Sequence, residues 1–214
     1  MPRQPREPLN FFYEEEQRAL GYAHVCGVDE AGRGPLAGPV FAAAVLLPAG
    51  LVLPGLNDSK KLTPQKREEL YDQIVEQAVS YGIAQAGVEE IETLNILGAS
   101  LLAMRRAVEK LSPPAQAALV DGNRDPGLSV PTRCIVQGDG ISPSIAAASI
   151  LAKVSRDRLM QELDGAYPQY GFAQHKGYPT KLHYQKLLQY GPSPVHRPSF
   201  LRNLSEKAKL YDKE

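Results

Sequence analysis

Short apolar runs alternate along the chain with longer amphipathic runs, and this alternation predicts strands interleaved with helices. The short runs are rich in Val, Ile, Leu and Ala and are bounded by glycine, proline or charged residues, as is typical of buried strands. The predicted strands cover residues 24–29, 38–48, 80–88, 117–122 and 133–139. In the longer runs apolar residues recur three or four positions apart. These runs predict helices at 10–23, 63–81, 93–111, 143–163, 181–190 and 199–214.

The order of these elements favours one α/β domain whose last part is helical. Residues 1–9 are rich in Pro and Arg and are expected to form a loose arm. We therefore expect an N-terminal arm and short helix (1–20) followed by the main domain (21–214). Residues 51–64 are interrupted by Pro and Gly and are predicted to form a loop.

Composition limits the class of protein. The chain has 214 residues, of which 43% are hydrophobic and 22% are charged, as in an ordinary globular protein. No apolar run is long enough to span a membrane, and the N-terminus lacks the apolar stretch of a signal peptide, so a cytoplasmic protein is expected. Cys26 and Cys134 lie far apart and outside any metal-binding spacing, which predicts two reduced, buried thiols.

Charge is distributed unevenly, although the formal net charge is zero. Residues 153–214 contain 11 Lys and Arg against 6 Asp and Glu, and the preceding part contains 13 against 18. An acidic first part with a metal site and a basic last part could together bind a polyanion. From charge alone, a solvated charged surface explains the pattern equally well.

Three of the apolar runs are followed by acidic residues, namely Asp29, Glu30, Asp121 and Asp139. Taken alone, each acid suits a turn after a strand. If the ends of the strands converge, however, four carboxylates would repel one another strongly unless cations lie among them. Oxygen ligands without His or Cys favour Mg²⁺ or Mn²⁺. Two such ions suit the hydrolysis of a phosphodiester.

The first pair of acids raises a question of direction, because side chains alternate between the two faces of a strand. Either the strand has ended by Glu30, or Asp29 and Glu30 contact different ions. Gly32, Arg33 and Gly34 follow immediately. Glycine lets the backbone approach a ligand closely, and the forked guanidinium of arginine suits a phosphate.

Six motifs then occur in the order seen in bacterial ribonuclease HII, and the chain resembles that family from about residue 24 to residue 198. They are VDEAGRGPLAGPV, DSKKLT, LNILGASLLAMRRAV, LVDGN, SIAAASILAKVSRDRLM and HKGYPTKLH. The resemblance implies a ribonuclease-H-like α/β fold, with a mixed sheet flanked by helices and a C-terminal helical extension. It also implies an endoribonuclease that cuts RNA/DNA hybrids and single ribonucleotides embedded in duplex DNA, with roles in ribonucleotide excision repair and DNA replication.

The same resemblance assigns roles to individual positions. The metal-binding catalytic acids, which would hold two Mg²⁺ or Mn²⁺ ions, match Asp29, Glu30, Asp121 and Asp139. The substrate-binding residues match Gly32, Arg33 and Gly34 for the ribonucleotide, Tyr178 for the next sugar, and Ser59, Lys60 and Lys61 for phosphate. The expected partners are RNA/DNA hybrid and ribonucleotide-containing duplex DNA, bound by a monomer without membrane contact.

One stretch departs from the family pattern. The family usually has Ser and then a basic residue after the last acid, whereas this chain has Gly140 and Ile141 after Asp139. A phosphate or hydroxyl contact is therefore either lost or supplied by Ser142 or Ser144. Catalytic efficiency is the property that this departure affects.

Other polar residues have more than one interpretation. Lys153 and Arg156 are three positions apart on a predicted helix, so they face either the duplex or water. The four histidines show no metal-binding spacing and are expected at the surface or in hydrogen bonds. Of these, His175 is the only one close to a predicted site residue.

The expected reaction is an in-line attack by water on the phosphorus at the 5′ side of the ribonucleotide, leaving a 3′-hydroxyl and a 5′-phosphate.

The nearest alternative is ribonuclease HIII, which cuts hybrids but not isolated ribonucleotides. That family has an additional N-terminal domain, for which the 28 residues before Asp29 are too few. A metal-dependent phosphatase would not need the Gly-Arg-Gly motif, and a non-enzymatic hybrid-binding module would be expected to lack one of the acids.

Overall fold

The computed structural model describes residues 9–204 and 206. The strands in this part are β1 Val25–Ala31, β2 Val40–Leu46, β3 Ser80–Ala86, β4 Ala117–Asp121 and β5 Thr132–Ile135. The α-helices are α1 Phe12–Ala19, α2 Pro64–Gln77, α3 Val88–Glu109, α4 Pro143–Ala166, α5 Phe172–His175 and α6 Lys181–Tyr190. Short 3-10 turns occur at Ser59–Lys61, Gly138–Gly140 and Pro198–Leu201. Residues 1–8 of the predicted arm and the end of the helix predicted at 199–214 lie outside the described residues.

The strands form one mixed sheet in the order β3-β2-β1-β4-β5. β1 is antiparallel to β2, and β2 is antiparallel to β3, whereas β1, β4 and β5 are parallel. Val28 of β1 is paired with Val120 of β4. Asp29 and Asp121 follow these two residues directly, so the topology places both acids at the same edge of the sheet.

Helices cover both faces of this sheet. Because side chains alternate along a strand, β1 and β2 contribute to two separate cores. The core against α3 includes Cys26, Val28, Ala44, Ala99, Ala103 and Met104. The core against α2 and α4 includes Ala43, Val45, Leu70, Ile74, Ile150 and Leu151.

The contact between α4 and β1 is very close at Gly27. A Cβ atom at this position would lie 2.1 Å from the carbonyl carbon of Ser144, so the packing requires glycine. Ala146, Ala147 and Ala148 are also buried, and their small size allows the same approach. The start of α4 is therefore fixed against the centre of the sheet.

The third helix differs from its prediction in both its start and its shape. α3 begins at Val88, where the Glu90 carboxylate accepts a hydrogen bond from the backbone N–H of Gly87 at 2.9 Å. The helix is interrupted at Asn95, which has φ 58° and ψ 172°. The Asn95 side chain then caps the second segment by accepting from the backbone N–H of Leu97.

The part of the chain after α4 forms its own small core. Leu36 and Ala37 pack there with Met160, Tyr170 and Phe172, together with residues of α6. The short α5 in this extension is absent from the sequence prediction, whereas α6 has the predicted bounds. The predicted fold class, a mixed sheet flanked by helices with a C-terminal helical extension, is confirmed. The domain boundary at residue 20 stays a prediction.

Two further expectations concern the chain as a whole. Both cysteines are free thiols, as predicted, and Cys26 is buried, but Cys134 is only half-buried, so the expected burial is wrong for Cys134. Across the part of the chain that the structure describes, none of the helices combines the length and apolar character needed to cross a membrane.

Candidate active site

The four predicted acids reach one edge of the sheet by different routes. Asp29 and Glu30 lie within β1, which continues to Ala31, so their side chains leave opposite faces of the strand. The alternative in which the strand ends by Glu30 is therefore wrong. Asp29 is buried, Glu30 is half-buried, and Asp121 is the last residue of β4.

Asp139 does not follow a strand directly, in contrast to the sequence prediction. β5 ends at Ile135, and Asp139 lies in the 3-10 turn Gly138–Gly140. Oδ1 of Asp121 accepts hydrogen bonds from the backbone N–H of Gly138 at 2.7 Å and of Asp139 at 3.4 Å. Asp121 therefore fixes the turn that carries Asp139.

Electrostatics shows that the acids interact. Burial raises the pKa of Asp29 well above its usual value, and repulsion by Glu30, Asp121 and Asp139 raises it further. Burial also raises the pKa of Asp121, and repulsion by Asp139 raises it further. Burial raises the pKa of Glu30 in the same way, although Arg33 opposes this shift. The structure thus brings the four carboxylates together in a partly desolvated region where negative charge is unfavourable.

Two cationic side chains partly compensate this charge. Nζ of Lys60 lies 3.3 Å from Oδ2 of Asp139, and Nη1 of Arg33 lies 3.2 Å from Oε1 of Glu30. Burial lowers the pKa of Lys60, but nearby carboxylates, chiefly Asp139 and Asp29, outweigh this effect and raise it. Two of the four carboxylates, Asp139 and Glu30, are therefore paired with lysine and arginine.

The donor set fits a hard divalent cation, because all four side chains offer carboxylate oxygens and their mutual repulsion favours positive charge among them. The side chains are not preassembled around one point, however. Within residues 9–204 and 206, no group of three or more His, Cys, Asp or Glu side chains is arranged to hold a metal ion. Asp139 and Glu30 instead face Lys60 and Arg33, with which a bound ion would compete.

The Gly-Arg-Gly motif forms the loop that leaves β1. Gly32 is buried with φ +99°, and a Cβ atom there would lie 2.1 Å from Nε of Arg156. Arg33 and Gly34 are exposed. A Cβ atom at Gly34 would meet only Cε1 of Tyr178, at 3.8 Å. The fold thus explains the glycine at position 32 but leaves open space at position 34.

Tyr178 lies beside this loop, in the segment between α5 and α6. Its side chain is 38% exposed, which is high for an aromatic residue. Lys153 and Arg156 lie within 6 Å of its ring centre, with Nζ at 5.7 Å and Cζ at 5.8 Å. The ring is therefore a partly open aromatic surface next to Gly34 and near positive charge.

The three residues of the predicted phosphate loop have different environments. Ser59 is buried, and its hydroxyl shares a 2.7 Å hydrogen bond with the hydroxyl of Ser149 on α4. The Lys60 side chain is largely exposed apart from its contact with Asp139. Nζ of Lys61 lies 3.3 Å from Oδ1 of Asn57. Ser59 thus fastens the turn to the core, while both lysines reach the surface.

The residues after Asp139 correct a second expectation. Ser142 and Ser144 are buried, and both hydroxyls donate to Oε1 of Glu14 on α1, at 2.6 Å for Ser142. Neither hydroxyl can therefore supply a substrate contact at Gly140–Ile141. Glu14 is itself fully buried, and its role has no signal in the sequence because it lies among exposed glutamates.

Two buried arginines are the main features that sequence reasoning missed. Arg156 and Arg197 are both 0% exposed, so the expectation that Arg156 faces either the duplex or water is wrong. Burial, with repulsion by Arg156, lowers the pKa of Arg197 to about 9. Both arginines donate to backbone carbonyls of the loop that contains the Gly-Arg-Gly motif.

Three of the histidines form a buried cluster, which confirms the expectation that they are hydrogen-bonded. His175 stacks on His183 with ring centres 4.2 Å apart, and Nε2 of His183 lies 3.0 Å from Nε2 of His196. Nδ1 of His183 lies 2.9 Å from the carbonyl oxygen of Tyr178, so it donates this hydrogen bond. The cluster supports the segment that carries Tyr178.

Comparison with known proteins agrees with this geometry. Residues 26–203 match the family model of ribonuclease HII. Ribonuclease HII of Desulfitobacterium hafniense is 58% identical over 188 residues, which cover 87% of this chain and 72% of that protein. The ribonuclease H2 structure from Pyrococcus horikoshii OT3 has a TM-score of 0.70 and 27% identity, covering 89% of this chain and 99% of that one.

A more distant structure shares the fold alone. Bst-RNase HIII in complex with Mn²⁺ has a TM-score of 0.67 and 16% identity, covering 89% of this chain and 71% of that one. The family model and the high identity to ribonuclease HII separate the two alternatives that the sequence left open. The chain belongs to the ribonuclease HII family of ribonuclease H hydrolases.

Proposed function

We propose that this enzyme, an endoribonuclease of the ribonuclease H type, cuts RNA/DNA hybrids and single ribonucleotides embedded in duplex DNA. The observation that carries the proposal is the position of the Gly-Arg-Gly loop, which leaves β1 directly after the carboxylates. A ribonucleotide on that loop would place its 5′ phosphate near Asp29 and Glu30. The same strand thus joins recognition of the sugar to the site of cleavage.

Asp29, Glu30, Asp121 and Asp139 would hold two divalent ions, Mg²⁺ or Mn²⁺. Their oxygen-only chemistry and mutual repulsion support this assignment, as does the Mn²⁺ complex of the fold neighbour Bst-RNase HIII. Bound ions of this kind lower the pKa of water and neutralise the charge on a leaving oxygen. Asp121 also holds the turn of Asp139 through its hydrogen bond to Gly138, so it serves both ligation and positioning.

The remaining residues orient the substrate. The exposed backbone at Arg33 and Gly34 would contact the 2′-hydroxyl, the group that distinguishes RNA from DNA. The Arg33 side chain, once released from Glu30, would contact a phosphate, as would Lys60 and Lys61. Ser59 would act by holding the lysine turn on α4, because its hydroxyl is bound to Ser149.

Tyr178 would pack on the sugar of the nucleotide that follows the ribonucleotide. An aromatic face fits a deoxyribose better than a ribose, since no 2′-oxygen has to be desolvated against it. Its position beside Gly34 supports this role. Cleavage on the 5′ side of the ribonucleotide would leave a 3′-hydroxyl and a 5′-phosphate.

The test uses a 5′-labelled DNA duplex with one ribonucleotide, incubated with the enzyme and Mg²⁺. We expect one cut, on the 5′ side of the ribonucleotide, and no cut in the matched all-DNA duplex. A long RNA/DNA hybrid should be cut at many positions. Cleavage of the hybrid without cleavage at the single ribonucleotide would contradict the proposed specificity, and release of inorganic phosphate from a terminal phosphate would indicate a phosphatase instead.

A further inference from the structure

Arg156 and Arg197 carry positive charge in the interior without an acidic partner. Both side chains are fully buried. Among the described residues, neither guanidinium has a carboxylate within 4.0 Å. An unpaired buried charge is strongly unfavourable unless hydrogen bonds replace its water shell. The two guanidinium groups must therefore donate their hydrogen bonds to acceptors other than carboxylates.

Arg197 satisfies its guanidinium with four backbone carbonyls of a single loop. Nη2 donates to the carbonyl oxygen of Gly32 at 2.7 Å, and Nη1 donates to those of Arg33 at 3.0 Å and Pro35 at 2.8 Å. Nε donates to the carbonyl oxygen of Gly38 at 2.8 Å. One side chain thus turns the carbonyls of Gly32 and Arg33, the first two residues of the Gly-Arg-Gly motif, toward the interior.

Because the peptide groups are planar and trans, the inward direction of these carbonyls fixes an outward direction of the N–H groups that follow them. In a trans peptide the N–H points away from the carbonyl of the preceding residue. With the carbonyls of Gly32 and Arg33 bound to Arg197, the N–H groups of Arg33 and Gly34 point to the opposite side. Both residues are exposed, and neither N–H has an acceptor within the described part of the chain.

Arg156 fixes the same loop from a second direction. It donates to the carbonyl oxygens of Ala37 at 3.0 Å, Pro39 at 3.1 Å and Lys176 at 3.0 Å. Lys176 belongs to the segment that leads to Tyr178, so Arg156 joins the two predicted substrate-binding segments. The guanidinium also occupies the space that a Cβ atom at Gly32 would fill.

We propose that Arg197, with Arg156, is a positioning residue that presents the amides of Arg33 and Gly34 as paired donors for the ribonucleotide 2′-hydroxyl. The inference rests on the proposed function, because it assigns a cause to the recognition that the Gly-Arg-Gly loop performs. The buried positive charge also polarises the peptide groups that it binds, which strengthens their outward N–H groups as donors. Specificity for RNA thus depends on a residue that never touches the substrate.

The test compares Arg197→Lys and Arg156→Lys with the wild type. Lysine keeps the charge but loses the fork that reaches several carbonyls at once. The quantity measured is the ratio of two dissociation constants, for an all-DNA duplex and for the same duplex with one ribonucleotide, in Ca²⁺ to prevent cleavage. We expect each substitution to reduce this ratio at least about fivefold, while binding of the all-DNA duplex stays unchanged.

Two control variants separate positioning from general stability. Arg202→Lys changes an exposed arginine of the same segment and should leave the ratio unchanged. Leu70→Ala creates a cavity in the core between α2 and α4, away from the loop, and should lower the melting temperature without changing the ratio. Hydrogen exchange at residues 32–34 should accelerate in Arg197→Lys and not in Leu70→Ala.

The outcomes distinguish this inference from the function on which it rests. A wild type that binds both duplexes equally would contradict the proposed recognition of the ribonucleotide itself. A wild type that prefers the ribonucleotide, together with an unchanged ratio in folded Arg197→Lys or Arg156→Lys, would overturn only the positioning role. If Arg197→Lys does not fold, Arg156→Lys tests the joint role, because Arg156 holds the same loop through the carbonyls of Ala37 and Pro39, and an unchanged ratio there would overturn that role.

Discussion

Nζ of Lys60 lies 3.3 Å from Oδ2 of Asp139, so a lysine holds one of the four carboxylates that we assign to metal binding. A divalent ion at Asp139 would compete with this ammonium group for the carboxylate. Lys60→Ala should therefore increase the affinity for Mn²⁺ about twofold to fivefold, because an exposed ion pair contributes about 0.2–1 kcal/mol. Calorimetric titration of Mn²⁺ into the free protein measures this change.

Lys61→Ala is the matched control, since Lys61 contacts Asn57 and Asp58 rather than the four acids. Its affinity for Mn²⁺ should equal that of the wild type. Equal affinities in Lys60→Ala and the wild type would show that the contact with Asp139 does not compete with the ion.

Asp29→Asn and Asp121→Asn should abolish most activity without destabilising the fold. Burial and mutual repulsion raise the pKa of both carboxyl groups above the value in the unfolded chain, so each negative charge destabilises the metal-free protein once the pH exceeds that unfolded value. Asparagine can still accept the backbone hydrogen bonds of Glu30 and Gly138. We expect cleavage to fall by about 100-fold or more, on the scale of losing one electrostatic contact with a transition state.

The melting temperature of the same variants in EDTA should be equal to or higher than that of the wild type. A stabilisation of up to about 1 kcal/mol is typical of relieved strain at an active site. Near-normal cleavage by both variants would remove these acids from the catalytic centre. A large loss of stability would show that they serve the fold instead.

The sequence predicted most of the sheet and three of the four acid positions, because these follow from local patterns. Asp29 and Asp121 lie where an apolar run ends, and the pairing of parallel strands brings such ends together. The sequence predicts Asp139 at the end of a strand, but the turn of Asp139 depends on the side chain of Asp121, which binds Gly138 and Asp139 from 17 and 18 residues earlier in the chain. A local pattern contains no sign of that bond.

The buried polar residues could not have been predicted for the same reason. Arg197 binds carbonyls that are 159 to 165 residues earlier in the chain. Glu14 binds hydroxyls 128 and 130 residues later. Arginine and glutamate are ordinarily exposed, so their burial becomes visible only once the partners are brought together.

Gly27 and Gly34 should respond to alanine in opposite ways. At Gly27 the new Cβ atom would clash with the backbone of α4, so Gly27→Ala should destabilise the protein by about 2 kcal/mol or more. At Gly34 the nearest atom is 3.8 Å away, so Gly34→Ala should leave the melting temperature within about 2 °C of the wild type.

Gly34→Ala should nevertheless reduce cleavage at a single ribonucleotide, because its methyl group would stand where we propose that the sugar binds. Initial rates on the single-ribonucleotide duplex, measured on folded protein, test this expectation. Normal cleavage by a stable Gly34→Ala would place the substrate elsewhere on the surface.

The histidine cluster makes stability depend on acid. Burial lowers the pKa of His183 to about 3 and of His196 to about 4, below the value of 6.5 expected in the unfolded chain. Between the folded and unfolded pKa values the unfolded state binds more protons. The contribution of the two histidines to the free energy of unfolding is therefore fully present above pH 6.5 and is lost as the pH falls toward 4. Each histidine contributes a slope of up to about 1.4 kcal/mol per pH unit.

The carboxylates that we assign to metal binding act with the opposite sign, because the raised pKa values of Asp29 and Asp121 favour proton binding by the folded state. Both the wild type and His183→Gln contain these carboxylates, so their contribution to the pH dependence cancels when the two proteins are compared. Urea unfolding at several pH values between 4 and 7 should give a smaller slope for His183→Gln. Identical slopes would show that the buried histidine does not control acid stability.

Tyr178 should matter most where RNA changes to DNA. A deoxyribose follows the ribonucleotide in the single-ribonucleotide duplex, whereas a ribose follows most scissile positions in a long hybrid. Tyr178→Ala should therefore slow cleavage at the single ribonucleotide by about 10-fold or more, since one aromatic stacking contact contributes about 1–3 kcal/mol. Cleavage of the long hybrid should decrease less. Tyr178→Phe keeps the ring beside Gly34 and should retain the wild-type preference, whereas equal losses on both substrates in Tyr178→Ala would show that the residue only supports the fold.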